Sequence, residues 1–192
     1  MSILSKIYLY PTETVYGLGV NALDREAVRA LDELKGRSSS QPVSWLVRDV
    51  ADIRRYAEVS ETATKIAERF LPGPLTLVLR SRDFVPRTLI AEDGTIGFRI
   101  SSDPIAQKLI EEFMAEHDAP LTATSANVHG MPTMPTVREI LAQFGDRQTQ
   151  ITRIIDDGPR TGNTSTMIRV FDDKVEILRE GAISRKDILS VG

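Results

Sequence analysis

The chain contains no cysteine, which excludes disulfides, a thiolate nucleophile and cysteine-ligated zinc. Its two histidines, His117 and His129, stand in unrelated contexts without metal-ligand spacing, so both read as structural or surface groups. No stretch approaches the roughly eighteen apolar residues of a membrane span. Met1 to Tyr10 also lacks the apolar core and small-residue cleavage site of a secretory leader. A soluble, cytoplasmic protein with no membrane partner is therefore expected. There is no Gly-x-x-x-x-Gly-Lys-Ser/Thr loop, and Gly17-Leu18-Gly19 leaves the dinucleotide fingerprint incomplete, so P-loop and Rossmann mechanisms are disfavoured. Ser125 has no nucleophile motif with histidine and acidic partners, which disfavours a serine hydrolase. Internal repeats, low-complexity tracts and linkers are absent as well.

What remains is the composition of an ordinary globular protein, 41% hydrophobic and 27% charged over 192 residues. That length suits one domain, 1–192, with a core large enough to need no metal or disulfide staple. The formal net charge is -3, so the surface cannot attract polyanions everywhere and any phosphate site has to be local.

Short β-prone runs alternate with amphipathic helices. Ile7 to Tyr10 reads as a strand stopped by Pro11, and Asp24 to Lys35 as a helix with Ala27, Val28, Leu31 and Leu34 on one face behind a capping aspartate. Further strands are predicted at Pro42–Val47, Leu75–Leu79, Ile96–Ile100, Pro120–Thr124 and Ile151–Ile155, and helices at Ser60–Phe70, Pro104–Glu116 and Val137–Phe144. Ser165–Phe171 and Lys174–Arg179 read as a hairpin around Asp172-Asp173, with a last short helix near Leu189. The pattern predicts an α/β fold on an open, twisted, mixed sheet.

The chemistry lies in cationic and hydroxyl residues from distant segments. Lys35-Gly36-Arg37 ends a predicted helix, where by itself a basic pair serves equally as a solvated cap. Together with the hydroxyl and amide groups of Ser125-Ala126-Asn127 and with Arg179, it supplies the donors a nucleotide polyphosphate needs. Pro11-Thr12-Glu13-Thr14 places two threonine hydroxyls at a strand end, where they could meet a small polar ligand or simply form a turn. Glu13 alone is insufficient for a magnesium site, and the metal ligands stay unassigned.

These pieces occur in the order of one family: Tyr10-Pro11-Thr12-Glu13-Thr14-Val15-Tyr16-Gly17-Leu18-Gly19, Lys35-Gly36-Arg37, Pro72-Gly73-Pro74-Leu75-Thr76, Arg99, Thr124-Ser125-Ala126-Asn127, Ser165-Thr166 and Leu178-Arg179-Glu180-Gly181. From Tyr10 to about Ile183 the chain resembles the YrdC-domain family of threonylcarbamoyl-adenylate synthases. The resemblance implies a YrdC-like fold with a concave, positively charged cleft. It also implies an enzyme that makes threonylcarbamoyl-adenylate and pyrophosphate from L-threonine, bicarbonate or carbon dioxide, and ATP, with Mg2+ expected. The product would serve tRNA threonylcarbamoyladenosine modification, through separate transfer enzymes as downstream partners.

Carried over by position, Lys35 and Arg37 are the catalytic triphosphate ligands. Thr95, Ser125, Asn127, Thr133 and Arg179 contact the nucleotide, and Thr12, Thr14, Arg99 and Ser165 contact threonine, Arg99 through a fork with its carboxylate. A double-stranded RNA-binding role, or another substrate in a divergent member, is the alternative. The acidic pI of about 5.5 disfavours tight duplex binding and leaves weak RNA binding at most.

Three departures carry expectations. Ser38 follows Lys-x-Arg where many members have proline, predicting a less rigid loop. Trp45-Leu46 stand where some members have a histidine near the threonine pocket, which bears on amino-acid choice. Only nine residues precede Tyr10, without the usual first helix, which predicts that the edge of the first strand is exposed or covered by a partner.

Overall fold

The computed structural model describes residues 6–37 and 42–191. Nine strands form one sheet: β1 (Ile7–Tyr10), β2 (Gly17–Gly19), β3 (Ser44–Leu46), β4 (Leu75–Arg80), β5 (Thr95–Arg99), β6 (Leu121–Ser125), β7 (Ile151–Ile154), β8 (Thr166–Phe171) and β9 (Lys174–Arg179). Six helices accompany them: α1 (Arg25–Lys35), α2 (Val50–Tyr56), α3 (Glu61–Phe70), α4 (Pro104–His117), α5 (Val137–Phe144) and α6 (Arg185–Leu189). The spatial order is β7-β1-β2-β6-β3-β5-β4-β8-β9. β1/β7, β3/β5 and β4/β8 run parallel and the other neighbours antiparallel, so the sheet is mixed, as the alternating pattern implied. No helix among the described residues is long and apolar enough to cross a membrane.

Strand alternation decides where the core ends. Along β1, Ile7 and Leu9 pack with α1 and α5, while Tyr8 and Tyr10 pack on the opposite face with α4. Both faces are buried there. Toward β9 this changes: Leu75, Leu77, Leu79, Ile96, Phe98, Ile168 and Val170 all face the core shared with α2, α3 and α6. By alternation, Thr76, Gly97, Arg99 and Met167 face the other way. α4 covers that second face only around Tyr8, Tyr10, Leu46 and Leu121, so beyond it the polar residues floor an open cleft.

The local signals explain the elements near this cleft. Asp24 caps α1 by accepting from the backbone N–H of Glu26 and Ala27, and Gly36 ends it with φ +67°, a left-handed conformation that glycine adopts without strain. The Asp172-Asp173 turn also has both residues at positive φ, +46° and +62°, and joins β8 to β9 as the hairpin predicted.

Three features differ from the sequence expectation. Gly17-Leu18-Gly19 is a strand because it must lie flush against its neighbours: a Cβ at Gly19 would stand 2.5 Å from the Thr122 carbonyl oxygen. α2 is a seven-residue helix with too little periodicity to stand out, stabilised by Asp49 capping Asp52. The predicted exposed edge at β1 does not exist, because β1 is interior, paired with β2 on one side and β7 on the other. Ser38 lies outside the described residues.

Candidate active site

Arg37, Arg99 and Arg179 converge on the open cleft, with Thr14, Thr76, Ser125 and Ser165 supplying hydroxyls between them. No carboxylate lines this cleft among the described residues. Each guanidinium is held differently.

Arg99 is the last residue of β5. Its Nη2 donates to Glu13 Oε1 at 2.6 Å and to Thr14 Oγ1 at 3.3 Å, while its Nε is buried without a partner. Arg37 leaves the end of α1 and donates from Nε to Asp32 Oδ1 at 2.6 Å, with Nη2 buried and unpaired. Arg179 donates from Nη2 to the Ser165 carbonyl at 2.8 Å and forms no ion pair among the described residues. Burial and the charge of Arg99 together push the Arg179 pKa down, so its cationic form lacks compensation until an anion arrives.

Lys35 lies behind the cleft wall. Its ammonium donates to the carbonyl oxygens of Ser125 and of Asn127, the latter at 2.8 Å, and thereby fastens Lys-x-Arg to Ser-x-Asn as the sequence pairing implied. Burial, followed by the charge of Arg37, lowers its pKa to about 7 against an opposing pull from Asp32. Asn127 is likewise turned away, its Nδ2 donating to the backbone oxygens of Val128 and Met131. The Ser125 hydroxyl donates to Asn127 Oδ1 at 2.6 Å, so it must rotate before it can donate to a phosphate oxygen.

At the other end of the cleft, the threonine hydroxyls of the strand-ending turn are buried rather than exposed, Thr12 and Thr14 each at 2%. Thr12 donates to the Val15 carbonyl at 2.6 Å and accepts from the Thr14 backbone N–H, which uses it as a scaffold rather than a cleft contact. Thr14 does reach the cleft. With its proton directed at Thr12 Oγ1, 2.9 Å away, and Arg99 donating to it, Thr14 offers a ligand only an acceptor.

Besides Lys35 and Asn127, two further expected nucleotide contacts are not brought to this cleft. Thr95 shares a face of β5 with Arg99 but lies about 13 Å along the strand, at ~3.3 Å per residue. There its hydroxyl donates to Asp93 Oδ1 at 2.6 Å, in a second depression with Arg169, Phe171, Lys174 and Glu176. Thr133 sits on the loop beyond Asn127 and does not line the cleft. Nor do Trp45 and Leu46: Trp45 is 1% exposed and packed edge-on against Tyr56 and Phe98, and Leu46 packs under α4. Ser44 is the β3 residue that faces the cleft.

Sequence reasoning assigned no role to Ser44 or to the Thr76 side chain. Thr76 is buried between Leu75 and Leu77 and lies 2.9 Å from the Ser165 hydroxyl. A single hydroxyl in an otherwise apolar run, Thr76 in Leu75–Leu79 and Ser44 before Trp45-Leu46, was the available signal. Neither magnesium reading gains a ligand set: both Glu13 oxygens are engaged, by Arg99 and by Ser101, and no cluster of three His, Cys, Asp or Glu that could hold a metal exists among the described residues.

Comparison with known proteins follows the same lines. Residues 5–181 match the sequence model of the Sua5/YciO/YrdC family, described as Telomere recombination. A putative threonylcarbamoyl-AMP synthase of Methanocaldococcus jannaschii is 39% identical over 93% of this chain and 81% of its own. The crystal structure of Pyrococcus abyssi Sua5 complexed with L-threonine superposes with a TM-score of 0.86 at 37% identity, over 97% of this chain and 53% of that one. The structure of Escherichia coli YciO gives a TM-score of 0.80 at 28% identity, over 96% and 87%. The chain thus spans about half the length of the Pyrococcus protein and most of the other two. A match to the family model across residues 5–181, together with a superposable fold, makes this chain a member of the Sua5/YciO/YrdC family.

Proposed function

We propose that the chain is a threonylcarbamoyl-AMP synthase, and that one observation carries this reading: three guanidiniums meet hydroxyls in a single cleft whose described lining has no carboxylate. Such a cleft has a surplus of donors and charge for an anion with many oxygens. Arg99 takes the threonine carboxylate, and Thr14 Oγ1 accepts a hydrogen bond from the threonine hydroxyl or amine. Arg37 and Arg179 face the polyphosphate of ATP, and Ser165 with Thr76 bridges the two ends. Lys35 acts from behind the wall, where its charge adds to that of Arg37 and its hydrogen bonds fix the 125–127 turn.

The reaction these groups suit begins when the threonine amine adds to carbon dioxide, supplied by bicarbonate, and gives a carbamate. A carbamate oxygen then attacks the α-phosphorus of ATP. The bond from that phosphorus to the bridging oxygen breaks, and pyrophosphate leaves with the electron pair. No protein nucleophile is required. Catalysis consists of holding the two substrates in line and neutralising charge on the phosphate oxygens. Among the described residues no protein cage for Mg2+ is formed, so an ion arriving with the nucleotide would be held mainly by the nucleotide itself.

The chain would act as one unit in the cytoplasm and pass its adenylate to a separate tRNA-modifying transfer enzyme. A duplex RNA-binding role is not favoured, because the three arginines serve a local cleft in a protein of net charge -3. Incubation with ATP, bicarbonate, magnesium and L-threonine tests the reading. Pyrophosphate release that depends on threonine, and that falls in an Arg99→Ala variant, is expected; release indifferent to threonine overturns it.

A further inference from the structure

Two carboxylates stand behind the cleft arginines without lining the cleft. Asp32, on the inner face of α1, is 2% exposed, and among the described residues its carboxylate reaches only Arg37, through Oδ1; the Arg37–Asp32 side chains are 6% and 3% exposed. Glu13 is 14% exposed, against 12% for its partner Arg99, and its second oxygen accepts from the Ser101 hydroxyl. A buried guanidinium without a counter-charge is costly, and one that is free to rotate spends entropy on every ligand it binds. Each carboxylate addresses both costs for one arginine.

The bonds are also divided in a telling way. Asp32 occupies Nε of Arg37 and leaves its buried Nη2 without an acceptor. Glu13 and Thr14 both occupy Nη2 of Arg99 and leave its buried Nε without one. A buried donor left unpaired is destabilising, a cost removed when a ligand oxygen arrives. Arg179, which has only the Ser165 carbonyl and hydroxyl, shows that a cleft arginine need not have such a partner.

We propose that Asp32 and Glu13 are positioning residues that each set the affinity for a different substrate: Asp32 orients Arg37 for the nucleotide polyphosphate, and Glu13 orients Arg99 for the amino-acid carboxylate. This rests on the synthase reading above. It assigns Glu13 a role other than metal binding, since each of its oxygens already accepts a hydrogen bond at the arginine site. It also separates the cleft into two ends that can be weakened one at a time.

The test is direct calorimetric binding of ATP and of L-threonine to the wild-type chain, Asp32→Asn and Glu13→Gln, with thermal melting as a control for folding. Asp32→Asn should weaken ATP about tenfold and leave threonine within about twofold, the scale of losing one charge-assisted contact. Glu13→Gln should do the converse. Neither substitution should weaken ATP or threonine further in a chain already lacking its arginine, Arg37→Ala or Arg99→Ala respectively, whereas a purely structural role predicts an additional loss. Should Asp32→Asn not fold, Asp32→Glu keeps the charge, displaces it by one methylene, and should again weaken ATP alone. If either substitution weakens both ligands alike, or neither, the inference is wrong while the synthase reading stands. A wild-type chain that binds neither ligand overturns the synthase reading itself.

Discussion

The cleft and the depression around Thr95 lie on the same face of one sheet and draw on the same residue types, yet only the cleft presents arginines with no carboxylate in its described lining. In the depression, Arg169 donates to Asp93 Oδ2 at 2.9 Å and to Glu176 Oε2 at 3.2 Å, and Thr95 gives its hydroxyl proton to Asp93. Charge is matched and the carboxylates line the surface themselves. In the cleft the carboxylates stand behind their arginines, and Arg179 has none. An arginine therefore marks an anion site by what lies in front of it, not by its presence. Arg169 also keeps a buried Nε without a partner, so what separates the two regions is the carboxylates lining one and not the other, rather than the unspent donor itself.

Removing a cation from the cleft, or the one behind its wall, should break this contrast most strongly. Arg37→Ala and Lys35→Ala are each expected to cost about 2–4 kcal/mol of transition-state stabilisation, the scale for losing one preorganised charge donor, read as kcat/KM for pyrophosphate release. Arg99→Ala should act mainly through threonine, raising its KM with little change in the KM for ATP.

The next effect is a pH dependence. Lys35 titrates near 7 in the fold, below its ordinary 10.5, so between those values the unfolded chain carries a proton that the folded chain does not. The sign follows: its contribution to stability rises as pH rises through that window and is least favourable below pH 7. Lys35→Met should thus gain stability relative to wild type most at pH 7 and progressively less toward pH 10, measured by urea unfolding. ATP bound beside Lys35 and Arg37 should restore the proton, so calorimetry at pH 8 in buffers of different ionisation enthalpy should detect proton uptake.

The smallest effect belongs to the depression. Arg169→Gln should leave ATP and threonine binding unchanged and lower thermal stability slightly, since it removes two partly exposed ion pairs. A loss of ATP affinity comparable to that of Arg37→Ala would erase the distinction between the two regions.

Much of the fold was legible in the sequence because it is written locally. Asp24, Gly36 and the apolar spacing of α1, or the Asp172-Asp173 turn, act within a few residues of themselves. The cleft arginines were legible through family resemblance. What was hidden depends on contacts across the chain. Glu13 meets Arg99 over 86 residues, and no rule of spacing shows that its carboxylate faces a guanidinium rather than a metal. Asp32 is only five residues from Arg37, but a helix interior offers many acidic residues and burial alone singles this one out. Thr95, assigned through the resemblance alone, shares a strand and a face with Arg99, and only the length of β5 separates their surroundings.

A crystal structure of the chain with L-threonine and a non-hydrolysable ATP analogue tests the central claim most directly. The expected result is a threonine carboxylate on Arg99 and phosphate oxygens on Arg37 and Arg179 within one cleft, with the amino acid and the α-phosphate close enough to react. Nucleotide phosphates seated beside Arg169, or the two ligands bound in separate cavities, would contradict it.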